Sequence, residues 1–327
     1  MLPYEHFVVP NPTKEAKFLK AVTYLPGAST AVHHIVAGWN EDGKTSMGQG
    51  WEVDTGGWGP GSEPTRYPPD TGNRVGANGN FVFQMHYTPN GKAQVDHTKV
   101  GIYYAKEPPK YILRQLGIAD FSIAIPAGDG MRHERGYVEF PEDVLLYMVR
   151  PHAHARGYAT RMTVRYPDGH EVILHNQPRY DFNWQRTYDF VEPIKVPAGA
   201  KLVATYLYDN SVRNAANPDP KKTVVWGDQS WEEMHYTSVY YQWTDERVGA
   251  EADVTKDMRD GRLMGMLDDN IDGKIQRSEV RGRITSILSP RFDKLDTNKD
   301  GAIDMPELMA ATDLMKMFGT RREQETP

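Results

Sequence analysis

The chain has 327 residues, of which 39% are hydrophobic and 25% are charged, proportions that are ordinary for a globular protein. A formal net charge of −6 excludes the basic surface of a typical nucleic-acid-binding protein, and no apolar run is long enough to span a bilayer. The chain contains no cysteine, which excludes disulfide bonds, thiolate zinc sites and cysteine nucleophiles. A chain of this length predicts two or three domains.

Short strands alternate with turns from Phe7 to about Trp243. The strand segments are rich in Val, Ile, Tyr and Phe, and they are AVHHIVAGW, FVFQMHYT, KVGIYYA, YVEF, ATRMTVRY, EVILH, KLVATYLY and SVYYQW. This spacing predicts a mainly β protein built from antiparallel sheets. Two prolines in the segment KEPPK, residues 106–110, predict a linker, which divides the region into two antiparallel β-sandwich (jelly-roll-like) domains over residues 1–110 and 111–245.

The pattern becomes helical after Asp245. Apolar residues recur at helical spacing in VTKDMRDGRLMGMLDD, SEVRGRITSIL and MPELMAATDLMKMF. These segments predict a small α-helical domain over residues 246–320, followed by a disordered tail over residues 321–327.

Two segments of this region fit the twelve-residue EF-hand loop, with a turn glycine at position six and a final Glu that supplies two oxygens to a hard cation. The predicted ligands of the first calcium are Asp268, Asn270, Asp272, Lys274, Gln276 and Glu279. Those of the second calcium are Asp296, Asn298, Asp300, Ala302, Asp304 and Glu307. Position seven binds through its backbone carbonyl, so Lys274 and Ala302 are permitted there. We expect the calcium to act as a static brace, because the chain shows no independent target domain.

Histidine is concentrated in three segments of the β region. His33 and His34 are adjacent, His86 lies in FVFQMHYT, and His152 and His154 lie in RPHAHARG. Residues two apart in a strand point to the same face, so His152 and His154 can reach one metal ion. Adjacent His33 and His34 point to opposite faces unless a bulge or a strand end re-aims one of them. Imidazole suits copper, zinc, iron and nickel, and the full set therefore predicts metal binding.

The order VHHIVAG, FQMHYTPNG, RPHAHARG and WEEMHY resembles the type II, ascorbate-dependent copper monooxygenases. That family includes peptidylglycine alpha-hydroxylating monooxygenase and dopamine beta-monooxygenase. The likeness covers roughly residues 3–244 and is closest to bacterial proteins built on the same core. It implies that the first β domain holds an electron-storing copper through His33, His34 and His86. It implies that the second β domain holds an oxygen-binding copper through a catalytic set that consists of His152, His154 and Met234.

The same resemblance assigns Gln84 to the cleft and Arg150 to the substrate side. It implies hydroxylation of a C–H bond in a small-molecule or peptide substrate, with O₂ and a one-electron reductant such as ascorbate. His235, beside Met234, is an alternative ligand. The asparagine and tyrosine with which the peptide enzymes grip a substrate carboxylate are not at the matching positions after Met234, so the substrate stays open.

Two other functions stay open. One is a non-catalytic copper-binding or electron-transfer protein that kept the ligands, and the other is a calcium-stabilised β-sandwich scaffold. We expect a periplasmic or secreted location, with a cytoplasmic one as the alternative, although MLPYEHFVVP shows no signal peptide. A further domain upstream of Met1 is also an open alternative.

Overall fold

The computed structural model describes residues 4–43, 52–250 and 255–310, and this part of the chain is mainly β, with antiparallel sheets and few helices. The strands of the first β region include the predicted segments AVHHIVAGW, FVFQMHYT and KVGIYYA. They are β1 (Glu5–Pro10), β2 (Lys17–Leu25), β3 (Val32–Asn40), β4 (Val53–Trp58), β5 (Thr65–Arg66), β6 (Thr71–Val75), β7 (Asn80–Tyr87), β8 (Lys99–Tyr104) and β9 (Tyr111–Ile112).

Two sheets of this region enclose a hydrophobic core. One sheet has the strand order β1-β7-β3-β4. In the other sheet, β2 pairs with β5, β6 and β8. Large apolar side chains such as Leu19, Ile35, Trp39 and Phe81 fill the space between them. Since burial of such side chains is the main favourable contribution to folding, this core fixes β3 and β7 as central neighbours.

The second β region has the strands β10 (Arg114–Ala119), β11 (Ala124–Ile125), β12 (Arg132–Glu139), β13 (Val144–His152), β14 (Gly157–Arg165), β15 (Glu171–Gln177), β16 (Tyr188–Val196), β17 (Lys201–Tyr208), β18 (Val224–Val225) and β19 (Tyr236–Trp243). They form sheets with the orders β10-β19-β13-β16 and β12-β17-β14-β15, and β11 pairs with β18. A second core, which includes Phe140, Tyr206 and Trp243, lies between the two large sheets.

The two β regions share a packed boundary. Sheet membership changes between β9, which pairs with β6, and β10, which pairs with β19, a few residues after the predicted linker. Met148 of β13 and Tyr240 of β19 belong to the hydrophobic core of the first region. Part of the β13–β19 face is therefore packed against the first β region.

The helical region differs from the sequence expectation. Its elements are α1 (Thr255–Gly265), β20 (Ile275–Gln276), 3₁₀ turns at Arg277–Glu279, Gly282–Ile284 and Ser289–Arg291, α2 (Thr285–Leu288), α3 (Phe292–Leu295), β21 (Ala302–Ile303) and α4 (Met305–Ala310). The segment SEVRGRITSIL, predicted as helical, is broken into single turns. Gly282, inside this segment, has a φ of +56°, outside the helical range.

This helical region packs directly on the second β region. Leu263, Met264 and Phe292 share a hydrophobic cluster with Tyr137 of β12 and Val203 of β17. The predicted tail, residues 321–327, and residues 311–320 of the predicted helical domain lie outside the described residues. Within the described ranges, none of the helices combines the length and apolar character that a membrane crossing requires.

Helix α1 approaches β12 so closely that a side chain at Gly265 has no room. A Cβ added at Gly265 overlaps the carbonyl oxygen of Tyr137, whereas a Cβ added at Gly261 meets only the carbonyl oxygen of Glu139, at 4.0 Å. We expect Gly265→Ala to lower the free energy of unfolding by about 1–3 kcal/mol through overpacking. Gly261→Ala, the matched control, should raise it by roughly 0.5–1 kcal/mol, because alanine has the higher helix propensity. Urea unfolding of both variants tests this, and equal stabilities would contradict the close packing.

Candidate metal centres

The first three histidines converge on the β3–β7 pair. His34 of β3 lies opposite His86 of β7, and the register shifts between Val32 and His34. This irregularity adds one residue at His33, so His33 and His34 do not follow the strict alternation of a regular strand. One ligand nitrogen from each of the three histidines lies within 4.8 Å of the other two. A local bulge thus brings together the three residues that the sequence predicts as one metal set.

Two observations concern the Nδ1 atoms of this first set. The Nδ1 atoms of His33 and His34 are 3.1 Å apart, and Nδ1 of His86 is buried with no hydrogen-bond partner among the described residues. Burial lowers the pKa of His86 to about 4, and burial together with the adjacent imidazoles lowers that of His34 well below its usual value. The rings are therefore uncharged at neutral pH, with lone pairs available to a metal.

Tyr4 covers the first set. Its ring makes edge contacts with His34 and His86, at centroid distances of 5.6 and 4.8 Å. Its hydroxyl donates to the carbonyl oxygen of Asp228, which precedes β19, at 2.6 Å. The residue therefore connects the first histidine set to the second β region, a role that the sequence analysis did not identify.

His152 and His154 lie at the end of β13. His152 is the last residue of the strand and His154 follows it by two, with ring centroids 5.1 Å apart and ring planes nearly perpendicular. Nδ1 of His152 lies 2.6 Å from Oε1 of Gln185, and Nδ1 of His154 lies 3.4 Å from the carbonyl oxygen of Glu232. Both partners are acceptors, so each Nδ1 donates a proton and each Nε2 keeps its lone pair. The second set is thus arranged to bind through Nε2.

Met234 and His235 point to different environments. Met234 lies just before β19, is partly exposed and lines the same cleft as His152 and His154. His235 is fully buried inside the second β region, where its Nε2 lies 3.1 Å from the carbonyl oxygen of Ala204. The structure therefore does not bring the alternative ligand His235 to the cleft, whereas it does bring Met234 there.

Glu233, which the sequence analysis overlooked, lies beside this set. Its carboxylate accepts the backbone N–H groups of His154, Arg156 and Met234. Burial raises the pKa of Glu233 to about 7, although the three N–H groups oppose that rise. The sequence signal was the acidic pair in WEEMHY next to an apolar strand, where a buried carboxylate is unusual.

His34 of the first set lines a cleft of about 2220 Å³ together with His152, His154 and Met234 of the second set. Phe182, from the segment between β15 and β16, lies between the two sets. Its ring centroid is 4.9 Å from that of His33 and 5.7 Å from that of His154. A single aromatic ring therefore separates an imidazole of the first set from an imidazole of the second.

Gln84 and Arg150 also line the cleft. Nε2 of Gln84 lies 3.1 Å from Nε2 of His6. The Arg150 guanidinium lies 3.9 Å from the Asp54 carboxylate of β4 and 3.5 Å from Oγ of Ser238. Arg150 is thus a partly buried cation at the boundary between the two β regions.

The acidic residues at both ends of the first calcium loop accept hydrogen bonds from backbone N–H groups. The Asp268 carboxylate accepts the N–H of Gly273 at 2.8 Å, and Glu279 accepts the N–H of Asn270 at 3.0 Å. The predicted ligands converge on the loop interior, because hydrogen bonds join the side chains of Asn270, Asp272 and Gln276. Gly273 has a φ of +85°, the turn conformation that its position in the loop requires.

The second loop repeats this geometry. The Asp296 carboxylate accepts the N–H of Gly301 at 3.0 Å, and Glu307 accepts that of Asn298 at 3.1 Å. The loops pair through β20 and β21, with Ile275 opposite Ile303. Three predicted ligands make further contacts. Oδ1 of Asp304 accepts the N–H of Glu307 at the start of α4. The Lys274 ammonium lies 2.6 Å from the Asp300 carboxylate.

A carboxylate cluster joins the first calcium loop to the second β region. Asp120, Glu134 and Asp269 each place an oxygen within 4.8 Å of the others. The Arg281 guanidinium lies 2.8 Å from Glu134 and 3.7 Å from Asp269, and Arg132 also pairs with Glu134 at 2.8 Å. We interpret the cluster as an ion network between the helical region and β12. No local sequence pattern indicates this cluster, because its members are distant in the chain.

We expect Asp268→Ala combined with Asp296→Ala to remove calcium-dependent stabilisation. Calcium that binds only the folded state contributes RT ln(1 + [L]/Kd), about 2.7 kcal/mol at a hundredfold excess over Kd. Melting temperatures of copper-free protein, with calcium and with a chelator, measure the effect. The chelator should lower the melting temperature of the wild type and leave that of the double variant unchanged. Asp293→Ala, at an exposed acidic residue between the loops, is the control and should behave as the wild type does.

Comparisons with known proteins reach only part of the chain. A family model described as EF hand matches residues 290–311, which include the whole second loop. No curated protein matches the chain. The structure of infectious bursal disease virus Gt strain matches with 10% identity and a TM-score of 0.22, and covers 73% of this chain and 60% of that one. The crystal structure of the VP2 subviral particle of the same virus matches with 9% identity and a TM-score of 0.21, over 93% of this chain and 80% of that one.

This chain therefore spans about 60% of the length of the Gt-strain chain that it matches. Structural similarities this low carry no argument about fold or function. The EF-hand match and the loop geometry agree, and together they support calcium binding by the C-terminal region.

Proposed function

We propose that the protein is a copper-dependent monooxygenase with two separate copper sites, which hydroxylates a C–H bond of an organic substrate with O₂ and a one-electron reductant such as ascorbate. The observation that carries the proposal is the arrangement of two different imidazole sets around one cleft. His33, His34 and His86 converge within 4.8 Å. His152 and His154 lie side by side across Phe182, with Met234 on the same cleft wall.

The donors of both sets fit copper. Imidazole is a good ligand for copper, and a thioether adds preference for Cu(I). The buried Nδ1 of His86, which lacks a partner within the described part of the chain, is a donor that a metal would satisfy. The low pKa values of His86 and His152, both about 4 because of burial, keep these rings in the uncharged form that binds metal.

The two sets differ in composition, and this difference supports different roles. Three imidazoles without a weak ligand suit a copper that stores one electron. Two imidazoles with a soft thioether suit a copper that reacts with dioxygen. In this proposal residues 1–110 and 111–245 are two jelly-roll-like sandwich domains, each with one copper. When bound, copper supplies one-electron transfer and the activation of dioxygen.

The surrounding residues orient the substrate and limit access of water. Phe182 fills the space between the two sets with an apolar ring. Arg150, held between Asp54 and Ser238, presents a cation to an anionic or polar substrate group. The cleft of about 2220 Å³ exceeds the roughly 300–1,000 Å³ of common ligand pockets, so it admits either a small molecule or a peptide segment.

The Met234→His variant tests the proposal most directly. Imidazole also binds copper, so this variant should keep two coppers for each chain. It should lose most ascorbate-dependent O₂ uptake, because a stronger ligand replaces the weak thioether. His33→Ala should instead lower the copper content toward one. Copper analysis and O₂ uptake, measured together, separate these results.

Two further variants complete this experiment. Met234→Leu removes the thioether without adding a ligand, and it should weaken copper binding at the second set. His170→Ala removes an exposed histidine that pairs with Asp168 on a distant turn, and it should leave copper content and O₂ uptake unchanged. Wild-type protein that binds two coppers but consumes no O₂ with any candidate substrate would contradict the monooxygenase proposal.

A further inference from the structure

Glu233 is a fully buried carboxylate that belongs to none of the predicted ligand sets. One of its oxygens, Oε1, accepts the backbone N–H groups of His154 and Met234, and the other, Oε2, accepts the N–H of Arg156 at 3.0 Å. Its hydrogen bonds therefore join the turn after β13 to the segment before β19, which lie 79 residues apart in the chain.

A buried ionisable group is costly unless its hydrogen bonds are satisfied, and an apolar side chain would fill this space at lower cost. The three N–H groups lie on a turn and an irregular segment, where sheet pairing does not satisfy them. A carboxylate is the side chain with enough acceptor positions on two oxygens to satisfy them all. The group is therefore suited to hold two irregular segments in one fixed relation.

The same two segments are also held at their carbonyl groups. The Tyr208 hydroxyl donates to the carbonyl oxygen of Met234 at 2.8 Å, and the Tyr180 hydroxyl donates to that of Ala153 at 2.8 Å. The carbonyl oxygen of Glu232 accepts from Nδ1 of His154 and so selects the tautomer with a free Nε2. These contacts leave the His154 and Met234 side chains as the parts that face the cleft.

We infer that Glu233 is a positioning residue that holds His154 and Met234 at the mutual distance and orientation needed to bind one copper ion. This inference rests on the proposed function, because it assumes that the two side chains share a metal. Glu233 acts through backbone N–H groups and does not touch the metal. Replacement of such supporting groups commonly weakens metal affinity by about 10- to 100-fold.

Glu233→Leu and Glu233→Gln test the inference, because leucine removes every acceptor and glutamine removes only part of them. Leucine removes all three acceptors, so Cu(I) affinity of the second set, measured by competition with a chromogenic Cu(I) chelator, should fall by about 10- to 100-fold. X-ray absorption of the Cu(I)-loaded protein should also lose its sulfur contribution. Glutamine can keep Oε1 toward His154 and Met234, whose N–H groups it still accepts, and it loses only the acceptor for the Arg156 N–H, because its amide nitrogen donates. It should therefore retain the sulfur signal and most of the affinity.

The matched control is Glu246→Leu. Glu246 is also a buried carboxylate, and it pairs with Arg114 away from the cleft, at 2.8 Å from Nε. This variant should lower the melting temperature and leave the Cu(I) affinity and the sulfur signal unchanged. A purely structural role for Glu233 predicts the same pattern for Glu233→Leu, and that result would overturn the inference.

The wild-type protein separates this inference from the proposed function. If the wild type binds a second copper with a sulfur ligand and Glu233→Leu binds it equally well, the inference on Glu233 fails alone. If the wild type binds one copper or shows no sulfur ligand, the proposed function fails, and the inference fails with it.

Discussion

Burial of uncharged imidazole rings around one cleft is the constraint on which the rest of this structure depends. An imidazole removed from water loses the stabilisation of its charged form, so its pKa falls and its lone pair stays free. Each ring is then held by contacts that leave one of its nitrogens without a hydrogen-bonding proton. Gln185 and the Glu232 carbonyl do this for the second set by engaging Nδ1. Tyr4 does so for the first set through the ring edges of His34 and His86.

Two different backbone features bring the paired histidines together, a bulge in β3 and the end of β13. Adjacent residues diverge in a regular strand, and the bulge at His33 breaks that alternation inside β3. Residues two apart already share a face, and the end of β13 at His152 releases His154 into a turn that Glu233 fixes. The first set is thus positioned by sheet register, and the second by a buried carboxylate and by tyrosine hydroxyls.

The helical region makes side-chain contacts with the second β region and with the cleft. The Arg283 guanidinium pairs with the Glu232 carboxylate, in the residue that precedes Glu233, and Arg283 lines the cleft. The Tyr137 hydroxyl of β12 donates to the Asp268 carboxylate, the first predicted ligand of the first calcium loop, at 2.8 Å. Contacts from the helical region therefore reach both β12 of the second β region and the wall of the cleft.

The sequence by itself determined the elements whose signal is local: the β strands, the EF-hand loops with their glycines, and the histidine motifs, because alternation, turn chemistry and ligand spacing are readable within a dozen residues. Only the tertiary structure decided which of those elements meet. It placed Phe182 between the sets, Glu233 beneath His154 and Met234, and His235 inside the core instead of the cleft. It also broke the helical pattern between the calcium loops into short turns. These outcomes depend on contacts between residues far apart in the chain, whose pairing no local pattern specifies.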